Sequence, residues 1–137
     1  MNDSNNKTRC PFCHPREGEV FYTTELVKGV WDTYPANPGH ALLVPHRHIP
    51  RWFDATPEEQ AALTSAIEHV TAAIEQRHSP VGFNIGFNDR KAAGQSVPHL
   101  HIHIIPRYEG DAPDTRHGIR KVVPARADYQ KVNETNP

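Results

Sequence analysis

Alternation of hydrophobic and polar positions predicts the strands of this chain. Residues 81–89 (VGFNIGFND) alternate apolar side chains with glycine and asparagine, and residues 98–106 (PHLHIHIIP) alternate aliphatic side chains with histidine. A period of two is typical of a strand with one buried face. Three upstream segments are rich in β-branched, aromatic or aliphatic residues and predict further strands: 19–23, 26–32 and 40–45. We expect the last two strands of the chain to pair.

One segment has helical periodicity instead. Four apolar residues recur at spacings of four, three and four and form one stripe: Leu63, Ile67, Val70 and Ile74. Thr56 fits the N-cap of this helix, Pro57 its first position and Glu59 the third position of a capping box. Ser79 and Pro80 end it. We expect the apolar faces of the last two strands to pack on this stripe.

The remaining segments look irregular. Residues 1–9 are polar and predict a mobile N-terminal tail. The length of the chain predicts one domain with a single core. Residues 109–137 then form a polar C-terminal extension with one strand-like piece, residues 119–124 (IRKVVP).

Composition and charge narrow the class of protein. The 137 residues contain 15 Lys and Arg against 16 Asp and Glu. This balance offers no general attraction to nucleic acid or to a membrane surface, so we expect neither as a partner. The sequence MNDSNNKTR lacks the apolar core of a secretory signal, and no stretch approaches the roughly 20 apolar residues of a spanning helix. The expected location is the cytoplasm.

The two cysteines, Cys10 and Cys13, form a C-P-F-C motif. This spacing is typical of half a zinc site or of a redox pair, and two unligated thiols are the third alternative. A redox pair normally opens a helix directly after a strand. Here HPREGE follows, which is not a helix start, so zinc is favoured over redox chemistry.

Three of the ten histidines alternate on one strand: His99, His101 and His103. Neighbours on one strand face are about 6.6 Å apart, so the outer two are about 13 Å apart and a straight strand cannot easily bring all three to one metal. This geometry favours divided roles. Four residues of zinc-ligand type can make a structural Cys₂His₂ site that ties the N-terminal segment to the sheet: Cys10, Cys13, His48 and His99.

His101 and His103 are then free for a ligand. A neutral imidazole is a nucleophile near pH 7 when one nitrogen is held as N–H and the other aims its lone pair at an electrophile. Gly94, Gln95 and Ser96 directly precede the strand and supply partners for phosphate oxygens, although no Walker motif is present. The simpler alternative, three solvent-facing histidines on a strand, is disfavoured by the strict alternation beside a face of Asn and Gly.

These residues carry a family resemblance. GQSVPHLHIHIIPRYEGD resembles the signature of the histidine triad (HIT) proteins, and VWDTYPANPGHALLVPHRH resembles the upstream segment of that family. The resemblance covers residues 10–108 and points to the zinc-containing CxxC branch and to its dinucleoside polyphosphate hydrolases. It implies the α+β HIT-like fold, an antiparallel sheet of about five strands with one main helix, and a homodimer. It also implies cleavage or transfer of a nucleoside monophosphate from dinucleoside polyphosphates, phosphoramidates or related conjugates.

The resemblance also assigns roles to single residues. It makes His101 the nucleophile that forms a covalent nucleotidyl-histidine, with water releasing the nucleotide afterwards. Four residues match positions that contact phosphate: His103, Ser96, Gln95 and Asn88. Asp32 matches the ribose-binding position, Phe12 and Val30 match the base pocket, and His40 matches a histidine near the active site whose role is left open. The zinc quartet of this branch falls on Cys10, Cys13, His48 and His99, and we expect Mg²⁺ to be optional with the substrate.

Some features depart from the family pattern. The C-terminal part lacks the short Trp-containing ending of the phosphoramidase-like branch. Arg107, Arg116 and Arg120 can reach a long polyphosphate or can simply be surface residues. The missing Trp-containing ending weakens an assignment to the phosphoramidase-like branch. Three alternatives to the hydrolase stay open: a nucleotide-binding module with little turnover, a nucleoside phosphoramidase, and a metal-dependent oxygenase or hydrolase with histidine ligands.

Overall fold

A computed structural model describes residues 10–129 of the chain. The mobile tail predicted for residues 1–9 lies outside the described residues, as do residues 130–137. The chain divides into two compact units, Met1–Arg107 and Tyr108–Pro137. The domain bounds of residues 10–108 stay a prediction.

The five predicted strands are present in the first unit. They are β1 (Val20–Thr23), β2 (Val27–Trp31), β3 (Ala41–Pro45), β4 (Gly82–Gly86) and β5 (Ile102–Arg107). They form one antiparallel sheet in the order β1-β2-β3-β5-β4. The α+β class, the strand count and the pairing of β4 with β5 are therefore confirmed.

The last strand is shorter than its alternation predicts. β5 begins at Ile102 rather than Pro98. Leu100 donates its backbone N–H to the carbonyl of Ile49 at 2.7 Å. Because that bond goes to the loop after β3, residues 98–101 leave the sheet while Leu100 still packs in the core.

The helix α1 (Pro57–His78) begins as its sequence predicts. Thr56 accepts the Glu59 backbone N–H through its hydroxyl, and the Glu59 carboxylate accepts the Thr56 N–H, which completes the capping box. Arg47 adds two hydrogen bonds to Glu59, at 2.7 and 3.1 Å. Ser79 ends the helix in the left-handed conformation, with φ of 53°. No helix among residues 10–129 is long and apolar enough to cross a membrane.

The core lies between α1 and strands β2, β3 and β5. The helix residues that are fully buried there are Leu63, Ala66, Val70 and Ile74. Ile67 of the predicted stripe is only partly buried. On β4, Phe83 packs on the core, but Ile85 is 41% exposed and the following Phe87 37%. A helix about 10 Å wide covers roughly three strands spaced about 4.8 Å apart, so the edge strand is left partly uncovered.

The face of the sheet opposite α1 carries a second apolar cluster. Its buried members are Cys10, Phe12, Val30, Leu42 and Val44. Register places Val30 beside Leu42, Leu42 beside His103, and His103 beside Gly86. This face therefore presents an apolar floor next to the imidazoles.

In the second unit the strand predicted for residues 119–124 is wrong. Gly118–Val122 and Pro124–Arg126 form short 3-10 turns. Gly118 has a φ of +45°, and Pro124 cannot donate a strand hydrogen bond, so neither suits an extended segment.

Candidate active site

Four residues predicted as zinc ligands converge above the apolar floor. Cys10 Sγ lies 3.3 Å from His99 Nδ1, and Cys13 Sγ lies 3.6 Å from the same nitrogen. His48 Nδ1 lies 3.2 Å from Cys13 Sγ and 3.2 Å from His99 Nδ1. A tetrahedral zinc ion with Zn–N of about 2.0–2.1 Å and Zn–S of about 2.3 Å requires ligand separations of about 3.3–3.8 Å. The donor set therefore fits zinc in both spacing and chemistry.

A hydrogen bond also orients His99 so that its Nδ1 can bind zinc. Its Nε2 lies 2.9 Å from the backbone carbonyl of Pro45, which can only accept, so Nε2 carries the hydrogen. The lone pair is then on Nδ1, facing the two thiols. Burial lowers the pKa of His99 to about 4, although the Pro45 hydrogen bond opposes this, so the ring is neutral at pH 7. A carbonyl partner on the second nitrogen is the usual way in which a metal-binding histidine is oriented.

His101 is held by the same segment. Its Nδ1 lies 2.8 Å from the backbone carbonyl of His99, so Nδ1 carries the hydrogen and Nε2 keeps a lone pair. The side chain is only 7% exposed, and the Phe12 ring lies 5.0 Å from it between centroids. An imidazole held in this way can present Nε2 as a nucleophile.

His103 belongs to a chain of hydrogen bonds that sequence reasoning missed. The Ala36 backbone N–H donates to His40 Nδ1 at 3.0 Å, so the His40 hydrogen is on Nε2. That nitrogen lies 3.0 Å from His103 Nδ1 and 3.4 Å from Asp32 Oδ2. When His40 donates to His103 Nδ1, neutral His103 carries its own hydrogen on Nε2. Burial, and then the neighbouring His101 and His40, lower the pKa of His103 to about 4, so this neutral donor form prevails at pH 7.

The same atoms argue against a second metal site. Asp32, His40 and His103 are close enough to share an ion. A metal would need the lone pair of His40 at Nε2, but the Ala36 N–H holds that lone pair at Nδ1. The cluster therefore suits a hydrogen-bond chain, and the alternative of a histidine-ligated oxygenase or hydrolase loses its support. Burial lowers the pKa of His40, with Asp32 opposing, which also favours the neutral ring.

The predicted base-pocket residues lie on the apolar floor. Phe12 packs against His99 and His101, with ring centroids 5.7 and 5.0 Å apart. Val30 is buried in the same cluster. Lys28, two residues before Val30 on the same face of β2, is also buried, and its charge lowers the pKa of His99. Sequence reasoning did not single out Lys28. The period of two along β2, which places Lys28 on the same face as Val30, could have identified it.

The loop between β4 and β5 holds the other predicted phosphate contacts. Asn88 and Ser96 are exposed there. Gln95 Nε2 donates to the carbonyls of Pro50 at 2.6 Å and Val97 at 3.1 Å, while its Oε1 accepts the Arg90 backbone N–H at 2.8 Å. Both amide hydrogens of Gln95 are thus engaged with the protein, so in this conformation the side chain braces the loop.

The three arginines considered as polyphosphate contacts form hydrogen bonds with nearby protein groups. Arg107 donates to Asn84 Oδ1 at 2.6 Å. In the second unit, Arg116 pairs with Asp114 at 3.0 Å, and Arg120 donates to the Ala127 carbonyl at 2.8 Å. Each of these guanidinium groups has a partner in its own unit.

The fold and site define a protein with a Cys₂His₂ cluster and a set of hydrogen-bonded imidazoles on one face of an antiparallel sheet. The family model of the HIT domain matches residues 15–110. The chain belongs to the HIT family, and the resemblance read from the triad is confirmed.

Several relatives in this family have been named for an activity. The chain is 42% identical over 97 residues to a Schizosaccharomyces pombe bis(5'-nucleosyl)-tetraphosphatase (asymmetrical), covering 71% of this chain and 53% of that protein. It is 39% identical over 119 residues to a Mycobacterium tuberculosis AP-4-A phosphorylase, covering 85% of this chain and 61% of that protein. The chain thus spans between half and two thirds of the length of these two relatives.

Solved structures of the family have the same architecture. A HIT family protein from Bacillus anthracis superposes with a TM-score of 0.69 at 34% identity, covering 75% of this chain and 76% of that one. A Zn-bound histidine triad family protein from Mycobacterium smegmatis gives a TM-score of 0.68 at 30% identity, covering 90% of this chain and 97% of that one.

Proposed function

We propose that the chain cleaves dinucleoside polyphosphates through a covalent nucleotidyl-histidine. In the first step the Nε2 lone pair of His101 attacks the α-phosphorus, so a P–N bond forms and the P–O bond to the polyphosphate leaving group breaks. In the second step water attacks the same phosphorus, the P–N bond breaks, and a nucleoside monophosphate leaves with the imidazole restored.

The observation that carries this proposal is the bond from His101 Nδ1 to the His99 carbonyl at 2.8 Å. It commits the hydrogen to one nitrogen and leaves the other free to attack. The relatives named tetraphosphatase and phosphorylase act on the same class of compound, which supports the substrate. The alternative of a nucleotide-binding module with little turnover requires no such arrangement of the ring.

His103 is proposed as the main imidazole donor to the phosphate. Its Nε2–H can donate to a non-bridging oxygen of the α-phosphate and stabilise the charge that develops there. His40 is proposed to fix this tautomer through its 3.0 Å contact with His103. Asn88 and Ser96 supply further donors from the loop, and Asp32 is proposed to accept hydrogen bonds from the ribose hydroxyls, with the base over Phe12 and Val30.

The molecule that accepts the nucleotidyl group in the second step distinguishes two versions of the proposal. A tetraphosphatase uses water, whereas a phosphorylase uses inorganic phosphate and releases a nucleoside diphosphate instead. We propose water as the acceptor. A phosphoramidase activity shares the same covalent step and differs only in the leaving group, so a panel of substrates distinguishes it.

The cofactor proposals follow from the donor sets. Cys10, Cys13, His48 and His99 would hold zinc, which would supply structural cross-linking and no open coordination position. The described residues of the site contain no cluster of carboxylates for Mg²⁺, so we propose that Mg²⁺ enters only with the substrate.

Assembly and location are further proposals. The edge strand β4 is partly uncovered: its Ile85 is 41% exposed, and Phe87 just after it is 37% exposed. This exposed edge supports a homodimer that extends the sheet. Light scattering on the purified chain measures the subunit number. A cytoplasmic location stays a prediction.

The test is a substrate panel read by product identity. Wild type is incubated with diadenosine polyphosphates and adenosine phosphoramidate, with and without inorganic phosphate, and compared with His101→Asn. We expect adenosine monophosphate from wild type, a loss of at least about a thousandfold in the variant, and a nucleotidyl adduct by mass spectrometry only in wild type. Absence of nucleotide release from every substrate would falsify the proposal.

A further inference from the structure

Arg90 adopts a backbone conformation that normally belongs to glycine. Its φ is 72° and its ψ is 165°. A side chain at positive φ with extended ψ is strained, because Cβ collides with the adjacent peptide groups. Glycine would occupy this position without strain. Strain of this kind persists only where the surroundings enforce it, and it is concentrated at functional sites.

The surroundings of Arg90 do enforce it. Gln95 accepts the Arg90 backbone N–H through Oε1 at 2.8 Å, and the Arg90 carbonyl accepts backbone N–H groups from Ala93 and Gln95, each at 3.1 Å. Gln95 is itself anchored to Pro50 and Val97. The loop therefore holds the backbone of Arg90 from both sides.

The Arg90 side chain is a cation with little neutralisation. It is 67% exposed, and its Nε lies 4.0 Å from Asp89 Oδ2. The Asp89 carboxylate already accepts two hydrogen bonds from Arg51, each at 2.9 Å. Asp89 is thus neutralised mainly by Arg51 and contributes little to neutralising Arg90.

The Arg90 cation lies on the same loop as residues proposed to bind phosphate. It follows Asn88 by two residues, and its backbone is bonded to Gln95, the residue before Ser96. An arginine side chain extends about as far as two residues of chain, so it can reach a ligand held by Asn88 and Ser96. The groups proposed to bind the α-phosphate, including neutral His103, are uncharged, whereas a polyphosphate leaving group carries several negative charges.

We propose that Arg90 binds the polyphosphate leaving group and selects substrates in which that group is charged. This inference rests on the proposed function and deepens it. A guanidinium donates two parallel hydrogen bonds to phosphate oxygens, which lysine cannot reproduce. The backbone strain at Arg90 then arises because a cationic side chain occupies a position whose φ and ψ are typical of glycine.

Two substitutions separate the charge from the backbone. Arg90→Ala removes the cation and keeps Cβ, whereas Arg90→Gly removes both the cation and the strain. We expect both to lower kcat/KM for diadenosine tetraphosphate by about ten- to a hundredfold, the range for loss of a charged hydrogen bond. Neither should change kcat/KM for adenosine phosphoramidate, whose leaving group is uncharged ammonia. Only Arg90→Gly should raise the midpoint of thermal unfolding.

A binding experiment gives an independent reading. In the His101→Asn background, ATP should bind more tightly than AMP, and Arg90→Ala should remove most of that difference. Arg116→Ala is the matched control, because that guanidinium is already paired with Asp114 in the second unit. It should change neither the ratio of ATP to AMP affinity nor turnover.

Each other outcome overturns the inference. Equal losses for the charged and uncharged leaving groups would mean that Arg90 serves only the shape of the loop. Unchanged kinetics for both substrates, together with an unchanged ratio of affinities, would mean that the guanidinium does not touch the ligand. If wild type releases no nucleotide from any substrate, the proposed function fails first, and the ratio of ATP to AMP affinity still decides the role of Arg90.

Discussion

At the scale of single residues, the site is organised by which imidazole nitrogen carries hydrogen. Backbone groups make that choice for three rings: the Pro45 carbonyl for His99, the His99 carbonyl for His101, and the Ala36 N–H for His40. His103 is set by another imidazole. Because these partners are backbone groups of the fold, the directions of the lone pairs and N–H groups are set before any ligand arrives, which reduces the reorganisation needed on binding.

His40 offers the clearest residue-scale prediction. In His40→Ala, His103 loses the donor to its Nδ1, so its Nε2–H tautomer should no longer dominate. We expect kcat to fall by about ten- to a hundredfold while zinc content is unchanged. Nitrogen-15 NMR of the histidine rings reports the tautomer directly. A wild-type spectrum in which His103 carries hydrogen on Nδ1 would contradict the assignment.

At the scale of elements, local sequence signals predicted the start of the helix but not the boundary of the last strand. The capping box of Thr56 and Glu59 placed the start of α1, because caps depend on residues a few positions apart. The start of β5 was less predictable, since residues 98–101 already alternate but lie outside the sheet, with the Leu100 N–H bonded to the Ile49 carbonyl in the loop after β3. Alternation reports which side of the chain faces the core. It does not report where the chain leaves the sheet.

The N-terminus of α1 gives a prediction about pH. The hydrogen bond from Arg47 lowers the pKa of Glu59 to about 2, below its ordinary value of 4.5. A lowered folded-state pKa stabilises the fold above the unfolded pKa, and this contribution is lost as pH falls through the folded value. Glu59→Gln should therefore reduce the free energy of unfolding at pH 7 by about 1–2 kcal/mol, discounted for the exposed Arg47. The difference from wild type should shrink between about pH 4.5 and 2 in denaturant titrations.

The loop that carries Ser96 gives a second prediction at this scale. Gln95→Ala removes three hydrogen bonds: two that Gln95 donates to the carbonyls of Pro50 and Val97, and one that it accepts from the Arg90 backbone N–H. We expect a loss of about 1–3 kcal/mol in stability and faster amide exchange at Arg90. If Gln95 instead binds phosphate directly, its loss would raise KM while exchange at Arg90 stays slow, and that pattern would overturn the bracing role.

At the scale of the whole first unit, the four proposed zinc ligands come from distant parts of the chain. Cys10 and His99 are separated by 89 residues, and Cys13 and His48 by 35. A metal there would connect the N-terminal segment, the loop after β3 and the segment before β5. Phe12, between the two cysteines, would be held against His101 by the same connection.

Metal removal tests this connection. Cys13→Ser or a chelator should abolish zinc binding, lower the unfolding midpoint, and reduce activity although His101 is not a ligand. His101→Asn and His103→Asn should keep one zinc per chain by elemental analysis. Zinc that survives Cys13→Ser but disappears in the two histidine variants would reverse the assignment of the ligands.

The sequence by itself determined the features that depend on neighbours along the chain: the strand alternation, the helix stripe with its cap, and the triad that identified the family. The tertiary structure decided which distant groups meet, including the Ala36–His40–His103 chain, the bracing role of Gln95 and the glycine-like backbone of Arg90. The physical reason is that periodicity and capping follow from local backbone geometry. Hydrogen-bond partners across the fold, in contrast, depend on where loops of many residues close, and no local pattern encodes that.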